Sequence, residues 1–227
     1  MNVSRSGYYK WLKTKNILNR YEINRKDLGE LIIQIHNKKP GEESVKYENI
    51  IGYNWNTSRP FEKVVSDTTS FWFKKKKYDW TFYLDVFNNE IVGSDVRETM
   101  YGNGILNHKK AVEDMLNSKI KRGYENLETI VHTDQGAIYS SVSFNNIFNS
   151  YEVTRSMSRA GTPTDNPVIE SKNGWIKKEM YIDFDINNYS TVQEFIDDIV
   201  WDNNNYRPSY ALQYKTPIEY RTQLGFQ

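Results

Sequence analysis

Hydrophobic positions change their spacing along the chain. In residues 1–38, Tyr8, Trp11 and Leu12, then Leu28, Leu31, Ile32 and Ile35, recur every three or four residues, which predicts helix. Pro40-Gly41 ends that pattern, and residues 41–59, weakly periodic and closed by Arg59-Pro60, read as a linker. From Val64 to Phe73 the text is dense in β-branched and aromatic residues and predicts a strand, with Lys74–Lys77 as its turn. Tyr78–Phe87 and Glu90–Val96 predict two more strands joined as a hairpin at Asn88-Asn89. A helix over Ile105–Leu116, a short strand over Thr129–His132, a helix around Phe144–Phe148 and a strand near Glu152–Ser156 follow. Asp165-Asn166-Pro167 has the form of a cap with proline in the first turn, opening a helix to about Met180. Ser190 with Gln193 suggests a capping box for a last helix through about Asn204. Three hairpin-connected strands followed by alternating units predict an α/β fold, a mixed five-stranded sheet with helices on its faces.

Composition narrows the chemistry. The 227 residues contain no cysteine, which excludes a disulfide framework, a thiolate metal site and a cysteine nucleophile. No apolar run is long enough for a membrane span, and Met1–Gly7 lacks the apolar core of a signal peptide, so a cytoplasmic protein is expected. The net charge of +1 hides a split. Residues 1–80 carry 16 Lys+Arg against 9 Asp+Glu, net +7, and the remaining residues carry 14 against 20, net −6. A basic leading segment suits a grip on a polyanion, although Lys-rich exposed helices give the same count.

Three acids stand out by position. Asp67 lies inside an otherwise uncharged strand, where a carboxylate is costly unless paired or bound to a cation. Asp134 ends the strand that carries His132, and Glu170 falls one turn into the helix opened by Pro167. Three carboxylates meeting at strand ends would make a hard oxygen site for Mg²⁺ or Mn²⁺, able to hold two ions. Each acid alone also fits a hydrogen-bonded turn. Lys177 follows Glu170 by seven residues, a rotation of about −20° on a helix, so both share one face. A lysine there could meet a DNA phosphate.

Thirty-five residues separate Asp134 from Glu170, and the pattern resembles that of the DDE transposases and retroviral integrases. More narrowly, the chain is similar to the second-frame, OrfB-type transposases of bacterial insertion sequences. Ser4–Leu12 resembles that family's opening motif. Ser66–Thr69 resembles the first acidic block, with Tyr83–Phe87 as the next strand, and His132–Gly136 with Tyr139-Ser140-Ser141 the second. Ser156–Gly161, Asp165-Asn166, Glu170-Ser171 and Lys177 with Glu179 resemble the third. Asn204, Arg207-Pro208, Ala211-Leu212, Lys215–Pro217 and Glu219-Tyr220 resemble the closing motif.

The resemblance implies a ribonuclease-H-like core over residues 60–222, preceded by a shortened, basic helical segment over residues 1–40. It implies that Asp67, Asp134 and Glu170 bind two Mg²⁺ or Mn²⁺ ions and cut and join phosphodiesters. Asn166, Lys177, Arg159 and Arg207 would touch DNA, and His132 would either touch the scissile phosphate or be a buried hydrogen-bonded histidine. The implied partners are insertion-sequence terminal inverted repeats, target DNA, an upstream-frame OrfA-type product and further copies on DNA, with no membrane and a nucleoid location.

The chain departs from that family between Gly41 and Asp67, where full-length relatives continue through several dozen residues of helix-turn-helix-like sequence. Such a loss would spare the acids and weaken recognition of element ends, so an inactive remnant that binds DNA or the full transposase is the alternative reading. Val64-Val65 stands where relatives often carry tryptophan and Asn203 where tyrosine is usual; Trp72 and Trp201 are expected to fill part of the lost volume.

Overall fold

The computed structural model describes residues 45–100, 103–159 and 161–227. The predicted helices of residues 1–38 and their opening motif lie outside the described residues. Five strands form one sheet in the order β3-β2-β1-β4-β5: β1 (Lys63–Phe73), β2 (Lys76–Asp85), β3 (Ile91–Glu98), β4 (Thr129–Thr133) and β5 (Val153–Met157). β1, β2 and β3 pair antiparallel as a meander, and β4 and β5 add in parallel beside β1. The turn between β1 and β2 is only Lys74-Lys75, both with positive φ (43° and 71°), the geometry that a two-residue hairpin needs.

Alternation along the strands builds two cores. Val64 and Tyr83 point to one face and pack with Ala111, Val112, Met115 and Leu116 of α1 (Asn103–Lys121). Val65, Phe71, Phe82 and Leu84 point to the other. There they meet Ile169 and Ile176 of α3 (Pro167–Glu179) and Phe195, Ile196 and Ile199 of α4 (Val192–Asn205). Gly93 lets α1 lie directly on β3, since a Cβ there would stand 2.4 Å from the Met115 backbone nitrogen. The short α2 (Val142–Asn145) precedes β5, and α5 (Pro217–Gln223) ends the fold.

Several boundaries moved for local reasons. α1 runs from 103 to 121 rather than 105 to 116, because Lys119 and Lys121 continue the turn spacing and offset the helix's negative end. The cap of α4 is one residue later than expected. Thr191 accepts from the Glu194 backbone N–H, and Glu194 reaches back to the Thr191 backbone, completing the capping box. The same device at Thr216 and Glu219, with Pro217 in the first turn, opens α5, a helix unclaimed in the sequence reading. Residues 45–59 make contacts with the segments around β4 and β5. Val45 donates to the Ser140 carbonyl at 2.8 Å, Ile50 N–H to Ser156 Oγ at 3.2 Å, and Ile51 is buried. Trp72 and Trp201 are more than half exposed, so neither fills interior volume. No helix among the described residues is long and apolar enough to cross a membrane.

Candidate active site

The strand period decides where Asp67 points. It shares the parity of Val65 and Phe71, so its carboxyl faces the α3 side of the sheet. β1 pairs with β4 only at Lys63, Val64 and Val65. Beyond that register β1 continues alone while β4 gives way to the Asp134 turn, and the gap between them is the floor of a cleft of about 390 Å³. Asp67, Asp134 and Glu170 all line it, together with Asn166, Arg159 and Gly136.

Each carboxylate is held differently. Asn173 of α3 donates to Asp67 Oδ2 at 2.6 Å. The Gly136 backbone N–H donates to Asp134 Oδ1 at 2.8 Å. A Cβ at Gly136 would stand 2.9 Å from that oxygen, so a larger residue there would shift the Asp134 carboxylate. Glu170 is exposed in the first turn of α3, where Pro167 occupies the first position and the helix's positive end favours an acid.

Electrostatics bind the acids into one system. Burial pushes the Asp67 carboxyl up to about 6, the negative charges of Asp134 and Glu170 push the same way, and the Thr68 backbone N–H and Lys177 oppose them. A cluster of this kind favours an added cation, and all its donors are carboxylate oxygens, the ligand type of hard divalent ions. Among the described residues no three His, Cys, Asp or Glu side chains are drawn close enough to hold a metal ion unaided. The acids fit such an ion in donor type and charge, and they line the cleft without closing on a point.

The other expected contacts divide. Lys177 is exposed on the Glu170 face, close enough to act on Asp67. Asn166 is buried at the mouth of α3 without making a capping bond, and its Oδ1 has no partner. Arg159 is mostly exposed, yet its Nε and Nη2 donate to Asp165 at 2.9 and 2.8 Å, so its guanidinium is already engaged by an acid.

His132 lies beneath the surface, between two serines. It is fully buried, Nδ1 lies 2.8 Å from Ser156 Oγ, and Nε2 lies 3.0 Å from Ser158 Oγ. Trp55 covers it edge-on at 5.7 Å, and burial lowers its pKa to about 4, so neither nitrogen is offered to a phosphate. Arg207 is held by acids of its own. It pairs with Glu179, with Asp183 at 2.7 Å and with Asp202 at 2.8 Å, and it lies over Trp175, tying α3 to α4 away from the acids. Sequence reasoning missed Asn173 as the holder of Asp67; its place three residues after Glu170 is the signal that could have found it.

Comparisons with known proteins agree with this geometry. Residues 57–163 and 151–217 each match an integrase core domain family. A protein of Escherichia coli (strain K12) described as the transposase InsK for insertion sequence element IS150 is 31% identical over 183 residues, 81% of this chain. The match spans 62% of that relative's length. A transposase-like protein of Haemophilus influenzae is 26% identical over 86% of this chain and 87% of its own length. Among solved structures, the HTLV-2 integrase catalytic core domain in complex with magnesium superposes with a TM-score of 0.54 at 17% identity, over 73% of this chain and 99% of that one. A chain of the simian T-cell lymphotropic virus intasome in complex with PP2A regulatory subunit B56 gamma reaches 0.60 at 17% identity, over 81% and 60%. These structural likenesses show a ribonuclease-H-like fold shared with retroviral integrase cores. The two matches together span residues 57–217, so the chain carries an integrase core domain, and it is similar to insertion-sequence transposases that carry the same core.

Proposed function

We propose that this chain cuts DNA at insertion-sequence ends and joins the freed 3′ hydroxyl to another phosphodiester, with Asp67, Asp134 and Glu170 as the catalytic acids. The observation that carries this reading is that three carboxylates from a strand, a strand-end turn and a helix line one cleft. The magnesium-bound integrase core among the structural neighbours supports Mg²⁺ as the cation, with Mn²⁺ as its substitute. Two such ions, when bound by the three acids, would activate the attacking oxygen and stabilise the leaving oxygen.

The chain's own residues do the remaining work. Asn173 fixes the rotamer of Asp67, and the Gly136 N–H fixes that of Asp134, so the carboxylates meet the backbone of a bound strand already oriented. Lys177, on the same face as Glu170, is placed to meet a phosphate beside the scissile one. The step needs no covalent enzyme intermediate: one P–O bond breaks as water or the 3′ hydroxyl adds, and the 3′ oxygen departs. DNA ends, target DNA, further copies on DNA and an upstream-frame product are the partners this reading assigns.

Incubation with labelled element-end duplex and Mn²⁺, beside Glu170→Gln, tests it. Cleavage or joining that vanishes in the variant is expected. Binding of DNA or of a full-length transposase without cleavage by either protein would replace this reading with that of an idle remnant.

A further inference from the structure

The closing motif does not reach the acids; it walls a second pocket on the back of the same helix. Arg207, Pro208, Ser209 and Tyr210 face Lys172 and Trp175 of α3 across a space of about 370 Å³, with Asn203 of α4 at its base. Residue 172 lies about 200° round α3 from Glu170, so this pocket and the acid cleft open on opposite sides of one helix. Among the described residues no Asp or Glu lines it.

Its charges are unevenly answered. Arg207 has three carboxylates of its own, whereas Lys172 ion-pairs with none among the described residues. The Lys172 ammonium donates to Asn203 Oδ1 and lies 4.5 Å above the Trp175 ring. The Asn203 amide is fixed in that sense, because its Nδ2 donates to the Asn89 carbonyl at 3.3 Å and to Asn204 Oδ1 at 2.8 Å. A neutral acceptor and a ring face leave the lysine with N–H groups and a charge to spare. Burial lowers its pKa to about 8; Glu179 and Asp202 raise it and Arg207 lowers it.

At the mouth stand Tyr210 and, beside it, Tyr214, 82% and 72% exposed, with rings 5.6 Å apart and edge to face. The chain turns tightly between them, with Gln213 and Tyr214 both at positive φ. A cation at the base and flat rings at the rim suit a phosphate whose sugar or base lies against the tyrosines.

We propose that the Lys172–Trp175–Tyr210 pocket binds a backbone phosphate of DNA other than the scissile one, giving the catalytic helix a DNA contact on each side. This rests on the reading of the chain as a DNA enzyme.

The test is binding of a random-sequence duplex of about 30 base pairs to the full chain in EDTA, measured across salt concentrations. For Lys172→Met the slope of log affinity against log salt falls by about 1, the loss of one phosphate contact, while Lys172→Arg keeps the wild-type slope. Ser171→Glu, at an exposed position on the pocket's edge, sets a carboxylate at its mouth without touching the core and weakens binding about tenfold or more. A wild-type slope for Lys172→Met that melts cooperatively, or wild-type affinity for Ser171→Glu, overturns the site. Protection of Lys172 from acetylation by poly-glutamate and not by duplex also overturns it, in favour of an acidic protein partner. Slope loss without any cleavage by wild type sinks the proposed function and leaves this site standing. Unchanged slopes with cleavage intact do the reverse, and no binding by wild type removes both.

Discussion

The two sides of α3 carry opposite electrostatic debts. On the front, Asp67, Asp134 and Glu170 crowd negative charge that Lys177 only partly answers. On the back, Lys172 stands against an amide and an indole, with no ion pair among the described residues. The front gathers negative charge and the back positive charge, yet the core residues Ile169 and Ile176 that anchor the helix are common to both. The contrast teaches that a helix's local charge, and not its total, sets what each face binds.

The largest expected break in that contrast is Asp67→Asn. It should abolish Mn²⁺-dependent cleavage, a loss of at least about 10³-fold in rate. In EDTA the same variant should be more stable at pH 7. The Asp67 carboxyl titrates near 6 in the folded chain against 3.8 when unconstrained, so its contribution is full below pH 3.8 and is lost as pH rises through 6. Neutral asparagine escapes that loss, by no more than about 3 kcal/mol, and the gain should fade toward pH 4 in urea titrations.

Asn173→Ala comes next. It removes the 2.6 Å bond to Asp67 and should lower cleavage about 10–100-fold, with more Mn²⁺ needed for half-maximal rate. An unchanged metal requirement would show that Asn173 does not position the acid.

Lys172→Met sharpens the contrast from the other side. The Lys172 ammonium titrates near 8 when folded against 10.5 ordinarily, so its charge weighs on the fold below pH 8 and the weight lifts between 8 and 10.5. The DNA-free variant should gain about 1 kcal/mol at pH 7, discounted for partial exposure, with the gain gone above pH 10.5 by thermal melts.

The smallest effect belongs to Lys177→Ala. DNA affinity should drop severalfold at low salt, and the pH at which Asp67 ionises should move up, as read by carboxyl NMR.

The sheet was legible because its signal is local. Alternation from Val64 to Phe73 and the hairpin spacing name the meander, and the run from Asp134 to Glu170 names the elements that meet at the cleft. Partner choice was not legible. His132 and Arg207 have the side chains of a phosphate contact, but Ser156 and Ser158 take one and three acids the other, and those partners come from distant segments. Trp175 stands one turn after Lys172 in sequence, but nothing near either tells that Asn203, from another helix, closes over the lysine. The α4 cap slipped by one because Ser190-x-x-Gln193 and Thr191-x-x-Glu194 both satisfy the pattern, and only the geometry selects the second.

The register of β1 has a consequence for how the enzyme is born. Its pairing with β2 covers ten residue pairs across a two-residue turn, whereas its pairing with β4 covers three and closes a loop of more than sixty residues. Local hairpins close early and long parallel pairings late. A chain still leaving the ribosome therefore carries Asp67 on a formed meander before Asp134 and Glu170 exist beside it. The acid cleft is assembled from both ends of the folding order, so the cutting proposed for it would stay disarmed until almost the whole core has been synthesised.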